Sequence, residues 1–275
     1  MLQFSYMLGS LKKLLGKTYH PLNKIEISSL FLLHNYTYLS SLNPSLKVVP
    51  VLKSNAYGHG IIQVASILDK VQAPFFAVDS IYEAYELVNA GVKTKIFIMG
   101  YVDPENLKVK QLPFSYAVYS EEQLSVISEY QKGAGVHIKF DSGMHRLGVT
   151  IDELPEFLEL FHRYRSVRVE GFMSHFAESE HPHSDLTKMQ ITNYRKALTM
   201  LEDYAIRPQW KHFGNSAGLL HHKELGLSEF TNMVRTGLDI YGIDPREMID
   251  TNLKPVLRYT TKIVQIKTIS KGDLS

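Results

Sequence analysis

Cysteine is absent from all 275 positions, which excludes disulfides, thiolate metal ligands and a cysteine nucleophile and points to a reducing cytoplasm. A strong charge of either sign is also missing: 30 basic against 28 acidic residues leave a formal charge of +2, with a pI near 8.5. The basic residues are scattered, so there is no nucleic-acid or membrane footprint, and small anions remain suitable ligands. No apolar run after the first turns approaches the ~20 residues that span a bilayer. Residues 1–15 carry Leu2, Phe4, Met7, Leu8, Leu11, Leu14 and Leu15. Lys12 and Lys13 follow most of that apolar stretch instead of preceding it, and no small-residue cleavage site comes next, which argues against a signal peptide. Low-complexity linkers and self-similar repeats are missing too.

What is present suits a globular protein. At 44% hydrophobic and 21% charged, a chain of this length buries roughly three quarters of its unfolded surface. Lys24 to Ile27 reads as a short strand, and Ser28 caps a helix carrying Leu30, Leu32, Leu33, Tyr36 and Leu39. Strands are then predicted at 47–53, 74–78, 95–99, 115–119, 135–141, 168–174, 209–213 and 231–235. Helices are predicted near 60–70, 80–90, 103–109, 121–132, 152–164, 185–204 and 216–222, some with caps such as Asp79-Ser80 and Ser120.

This alternation predicts an α/β fold, a parallel (β/α)8 TIM barrel, with an open doubly wound sheet as the competitor. After Asp244-Pro245 the pattern changes, and Val256 to Ile269 is β-branched and alternating with no helix. The expected organisation is an N-terminal segment at 1–27 whose strand joins a β domain, a barrel at 28–245, and the beginning of an incomplete C-terminal β-rich domain at 246–275.

The run from Val48 to Gly60, VVPVLKSNAYGHG, ends an apolar strand in Lys53 and continues into a glycine-bearing turn. In a barrel that position is the catalytic rim. A lysine there loses hydration, which disfavours its ammonium form and frees an amine for a Schiff base; the run equally describes a surface lysine after a core strand. The stretch resembles the alanine racemase signature, a lysine followed by Ala-Asn-Ala-Tyr-Gly-His-Gly, with Ser54 in place of the first alanine. The resemblance implies that Lys53 holds pyridoxal 5'-phosphate (PLP) as a Schiff base and that Tyr57 bonds its phosphate.

Four further stretches resemble the same family in the same order. In His137 to Val149, HIKFDSGMHRLGV, the resemblance puts Arg146 on the cofactor's phenolic oxygen and the substrate carboxylate. In much of the family the lysine matching Lys139 is carbamylated and holds that arginine. Gly171 to Ala177, GFMSHFA, brings His175 against the cofactor ring. In His212 to Ala217, HFGNSA, Ser216 binds the phosphate beside Asn215, and His212 holds an arginine from behind. In Met233 to Gly242, MVRTGLDIYG, that arginine is Arg235, facing the pyridine nitrogen, with the Gly237 and Leu238 amides on the phosphate. A permanently charged arginine keeps its proton, so the ring nitrogen stays unprotonated and racemisation is favoured over transamination.

The resemblance thus implies a PLP-dependent isomerase interconverting L- and D-alanine for peptidoglycan by a two-base mechanism, acting as a homodimer. Lys53 is one base, and the family's other base is a tyrosine of the C-terminal domain that no residue here matches. The expectation is a fragment or short form that binds PLP yet racemises poorly. Another amino-acid racemase, a decarboxylase of the same barrel type and a non-catalytic PLP carrier are the alternatives. No metal site is expected: His181, His183, His221 and His222 are read as exposed loop residues, and Asp141 and Asp239 as loop caps.

Overall fold

The computed structural model describes residues 20–246 and 252–272. The apolar segment at 1–15 lies outside them. The chain divides into a unit spanning Ile27–Val256 and a smaller one made of the described residues up to Glu26 and from Leu257 onward.

The first strand, β1, is Asn23–Ile27, and Ser28 begins the helix α1 at Ser29–Leu42, its hydroxyl accepting from the Phe31 amide at 3.2 Å. Eight parallel strands follow in the larger unit: β2 (Lys47–Pro50), β3 (Phe76–Val78), β4 (Ile96–Ile98), β5 (Phe114–Val118), β6 (Gly135–Lys139), β7 (Arg168–Met173), β8 (Trp210–His212) and β9 (Met233–Thr236). From β3 to β9 each strand pairs with the next, and β9 pairs with β2. A parallel bridge between Val51 and Ala77, with the Leu52 amide donating to the Ala77 carbonyl at 2.8 Å, brings β2 back to β3. The sheet therefore curls into a nearly closed barrel, and the open doubly wound alternative falls away.

Strand periodicity sorts side chains into two apolar layers. Val49, Ala77, Phe97, Ala117, Met173 and Met233 form the cluster inside the barrel, while Val48, Phe76, Val78, Ile96, Ile98, Val118 and Val234 pack outward against the helices. The same alternation turns His137, Lys139 and Arg235 inward. Each outward Val, Ile or Phe fully buried contributes up to about 1.5–3 kcal/mol. Helix starts follow their caps: Ser80 accepts from the Glu83 amide and Ser120 from the Gln123 amide.

In the smaller unit β1 pairs with β10, Leu257–Thr261. The Lys262 amide donates to the Leu22 carbonyl at 3.1 Å, and Thr261 Oγ1 to Asn23 Oδ1 at 2.6 Å. The alternation expected to run to Ile269 yields a strand only as far as Thr261. Ile263, Val264 and Ile266 are each more than three quarters exposed, so among the described residues nothing pairs with or covers them.

Candidate active site

The strand expected to reach Lys53 stops at Pro50, and the chain then enters a left-handed turn. Ser54, Asn55, Ala56 and Tyr57 all have φ between 52 and 55°, a region costing an L-residue roughly 1–2 kcal/mol. The turn is held from outside. Glu83 Oε1 accepts from the Ser54 amide at 2.6 Å and its Oε2 from the Asp79 amide at 2.9 Å, while Asn55 Oδ1 accepts from the Ile61 amide at 2.8 Å. Lys53 stands at the head of this turn, on the rim where β2 ends.

A cavity of about 370 Å³ opens there. Its wall takes Lys53 and Tyr57 from the turn, Lys139 from β6 and Arg146 from the following loop. His175 follows β7, Asn215 and Ser216 follow β8, and Arg235, Gly237 and Leu238 come with β9. Ten of the eleven residues expected to form a site thus meet in one place. The eleventh, His212, lies behind the wall, where its Nδ1 is 2.8 Å from Arg235 Nη1.

Arg235 is nearly inaccessible, and each group it bonds among the described residues is a carbonyl or an imidazole. Nη1 also donates to the His212 carbonyl at 3.1 Å, and Nη2 to the Ser174 carbonyl at 2.6 Å and to His175 Nδ1 at 3.1 Å. Burial lowers its pKa to about 10, so it stays a cation at neutral pH. Burial and the Arg235 charge hold both His175 and His212 well below the usual histidine range, so both are neutral. Lys139 is brought down to about 8, first by burial and then by the charges of Arg146 and Arg235; its Nζ donates to the Met99 carbonyl at 3.4 Å.

Ser216 Oγ accepts from the Gly237 amide at 3.0 Å and donates to Asp239 Oδ1 at 2.8 Å. Asp239 is therefore no ordinary loop cap. It is fully buried, its Oδ2 has no partner among the described residues, and burial raises its pKa to about 7. Asp141 does cap a loop, accepting from the Gly143, Met144 and His145 amides. Ser142 fastens the loop that bears Arg146, bonding Ser174 Oγ at 2.8 Å and Gln190 Nε2 at 3.2 Å.

Asp79, Met99, Met173 and Glu180 also line the cavity and were not expected there. For Asp79 a signal existed: it stands directly after β3, in the position that Lys53 holds close after β2. Of the four loop histidines, His222 is buried, with Nδ1 2.9 Å from the Leu219 carbonyl. The expectation of exposure fails there, and also at His221, whose side chain is only 14% exposed, because the pair directly follows the short helix at Ser216–Leu220, His221 as its C-cap and His222 turned back to the Leu219 carbonyl.

Residues 27–245 match the family model described as alanine racemase, N-terminal domain. The chain is 35% identical over 271 residues to an alanine racemase of Staphylococcus carnosus, covering 94% of this chain and 67% of that protein. The chain belongs to the alanine racemase family. Another family member, from Methanococcus maripaludis, is 34% identical over 239 residues, 84% of this chain and 63% of its own length. The chain thus spans about two thirds of the length of the curated relatives it matches. Among solved alanine racemases, that of Clostridium difficile 630 superposes with a TM-score of 0.83 at 29% identity, covering 93% of this chain and 70% of that one. One from Bacillus anthracis with bound L-Ala-P gives 0.83 at 27% identity, covering 94% and 68%. The barrel that carries the cavity is the family's N-terminal barrel.

Proposed function

We propose that this chain is the PLP-binding barrel of an enzyme that interconverts L- and D-alanine, supplying D-alanine for peptidoglycan in the cytoplasm and working as a homodimer. The observation that carries this reading is the meeting of Lys53, Arg146 and Arg235 with a hydroxyl and amide corner in one rim cavity. The donor set suits PLP. Tyr57 Oη, Ser216 Oγ and the Gly237 backbone meet in one polar corner of the cavity, where the Gly237 amide donates to Ser216 Oγ and the Ser216 hydroxyl to Asp239; a phosphate there would draw these donors to its oxygens. That corner depends on glycine, since a Cβ at 237 would stand 2.5 Å from Tyr57 Oη. The cavity volume lies within the ~300–1,000 Å³ typical of ligand sites.

When bound, PLP supplies an electron sink for the charge left as an amino acid loses its α-proton. Lys53 would hold the cofactor through Nζ, and its free amine would serve as the base that takes the α-proton from one face. Arg146 pairs with the substrate carboxylate and fixes which face is presented. Arg235 would donate to the ring nitrogen and, as a permanent cation, would not give it a proton, which would limit the sink and favour return of the proton to the α-carbon. Ser216, Tyr57 and the Gly237 and Leu238 amides would hold the phosphate, with Asn215 Oδ1 capping the helix that begins at Ser216 by accepting from the Gly218 amide, and His175 would stand beside the ring. We assign the opposing proton donor to a partner subunit, on the strength of the family resemblance, and the β1 and β10 pair to the start of the β-rich domain.

The test is deuterium exchange. In D2O with PLP, this chain should place deuterium on the α-carbon of one alanine enantiomer, and Lys53→Ala should not. Exchange with neither enantiomer, or exchange that survives Lys53→Ala, overturns the assignment.

A further inference from the structure

A line of buried polar groups runs from Arg235 away from the cavity, through the interior of the barrel. Arg235 Nη1 lies 2.8 Å from His212 Nδ1, and His212 Nε2 lies 2.8 Å from His137 Nδ1. His137 Nε2 faces Glu170 Oε2 at 3.8 Å, longer than a hydrogen bond, and has no other partner. Both histidines are fully buried, and the Glu170 side chain is 4% exposed. Glu170 Oε2 accepts from Ser115 Oγ at 2.6 Å, while its Oε1 meets Lys95 at 3.4 Å and Arg168 at 3.5 Å.

The backbone makes room for this line. Val136 pairs with Val169 but His137 pairs with Gly171, so Glu170 is the extra residue of a bulge, a device that re-aims a side chain. A Cβ on Gly171 would stand 2.0 Å from His137 Nδ1, and one on Gly135 would stand 2.2 Å from Glu170 Oε2. Two glycines and a bulge along the β6 and β7 pair serve no apolar packing; they admit an imidazole and a carboxylate.

Proton positions are set by elimination. A guanidinium only donates, so His212 Nδ1 must accept, and neutral His212 carries its proton on Nε2. His137 Nδ1 then accepts, and neutral His137 carries its proton on Nε2, pointing at the carboxylate. Every dipole in the line has the same sense.

We propose that Glu170 and His137 are positioning residues of the site, a one-way relay through the barrel that fixes the tautomer of His212 and thereby the orientation of Arg235. This rests on the reading of Arg235 as the partner of the cofactor ring nitrogen. It extends that reading to a carboxylate on the far side of two imidazoles, which sets the sense of the hydrogen-bonded line that ends on the guanidinium.

The test needs no cofactor. Long-range ¹H–¹⁵N correlation spectra of the full chain, with ¹⁵N-labelled histidine, should show His212 and His137 as neutral Nε2–H tautomers at neutral pH. Glu170→Gln should shift both His137 and His212 and bring in a resolvable Nδ1–H fraction at each. Arg235→Met, which removes the donor at His212 Nδ1, should leave His212 mainly Nε2–H, held by His137 and Glu170. Either histidine found as Nδ1–H or as a cation in the unaltered chain overturns the relay, even if the variants do not fold. So does a His212 signal unmoved in folded Glu170→Gln. Failure of PLP to attach at Lys53 is a separate result, read by labelling, and bears on the proposed function alone.

Discussion

Asp239 accepts the Ser216 hydroxyl and the Ile240 amide yet leaves Oδ2 unbonded in the core. Its carboxyl, raised by burial from 3.8 to about 7, binds a proton in the folded chain that the unfolded chain has released between pH ~4 and ~7. The sign is fixed: this group's contribution to stability falls as pH rises through that window. Asp239→Asn should abolish that part of the slope, so melting temperatures of the variant and the parent, compared from pH 4.5 to 8, should diverge upward in the variant's favour. Parallel profiles would mean that Asp239 is ionised throughout. Lys139 behaves in the opposite sense. Its ammonium is disfavoured down to about 8, so its contribution rises with pH from about 8 to the ordinary lysine range, and Lys139→Met should flatten that rise in a melting series carried from pH ~8 to ~10.5.

At the scale of the element, the left-handed turn at 54–57 is costly and externally clamped. Ser54 is exposed at φ 55°, so Ser54→Gly should leave stability unchanged or raise it by up to about 1 kcal/mol, whereas Ser54→Val should lower it by about 1–2 kcal/mol or more. Glu83→Gln removes one of the two acceptors that hold the Ser54 and Asp79 amides and should cost about 1–3 kcal/mol in denaturant melts. The left-handed turn was not legible from the chain, because three of its four residues lack the left-handed preference of Gly or Asn and the clamp lies nearly thirty residues away. The barrel strands were legible because their apolar layers leave a local trace in period and length. The caps at Ser28, Ser80 and Ser120 were legible for the same reason. Lys53, Arg146, Ser216 and Arg235 were found by motif. Glu170 was missed because the register shift against β6 and the partners His137 and Ser115 are long-range facts; the adjacent Gly171, a glycine inside a strand, was the one local sign of a bulge.

For the whole molecule, the net charge is only +2, yet Lys53, Lys139, Arg146 and Arg235 share one cavity against Asp79 and Glu180. Such a concentration of cations draws anions through a field that salt screens. Raising salt from about 50 to 500 mM should weaken PLP binding several-fold while leaving pyridoxal, which lacks the phosphate, nearly unaffected; equal sensitivity would remove the phosphate from the account. The barrel positions these charges because all eight strands run parallel and deliver their carboxyl ends to one rim. The most direct test of the central claim is borohydride reduction of the purified chain after incubation with PLP, followed by peptide mapping. The account predicts a visible absorbance band before reduction and the reduced pyridoxyl label on the peptide carrying Lys53. No band, or a label on any other lysine, would contradict it.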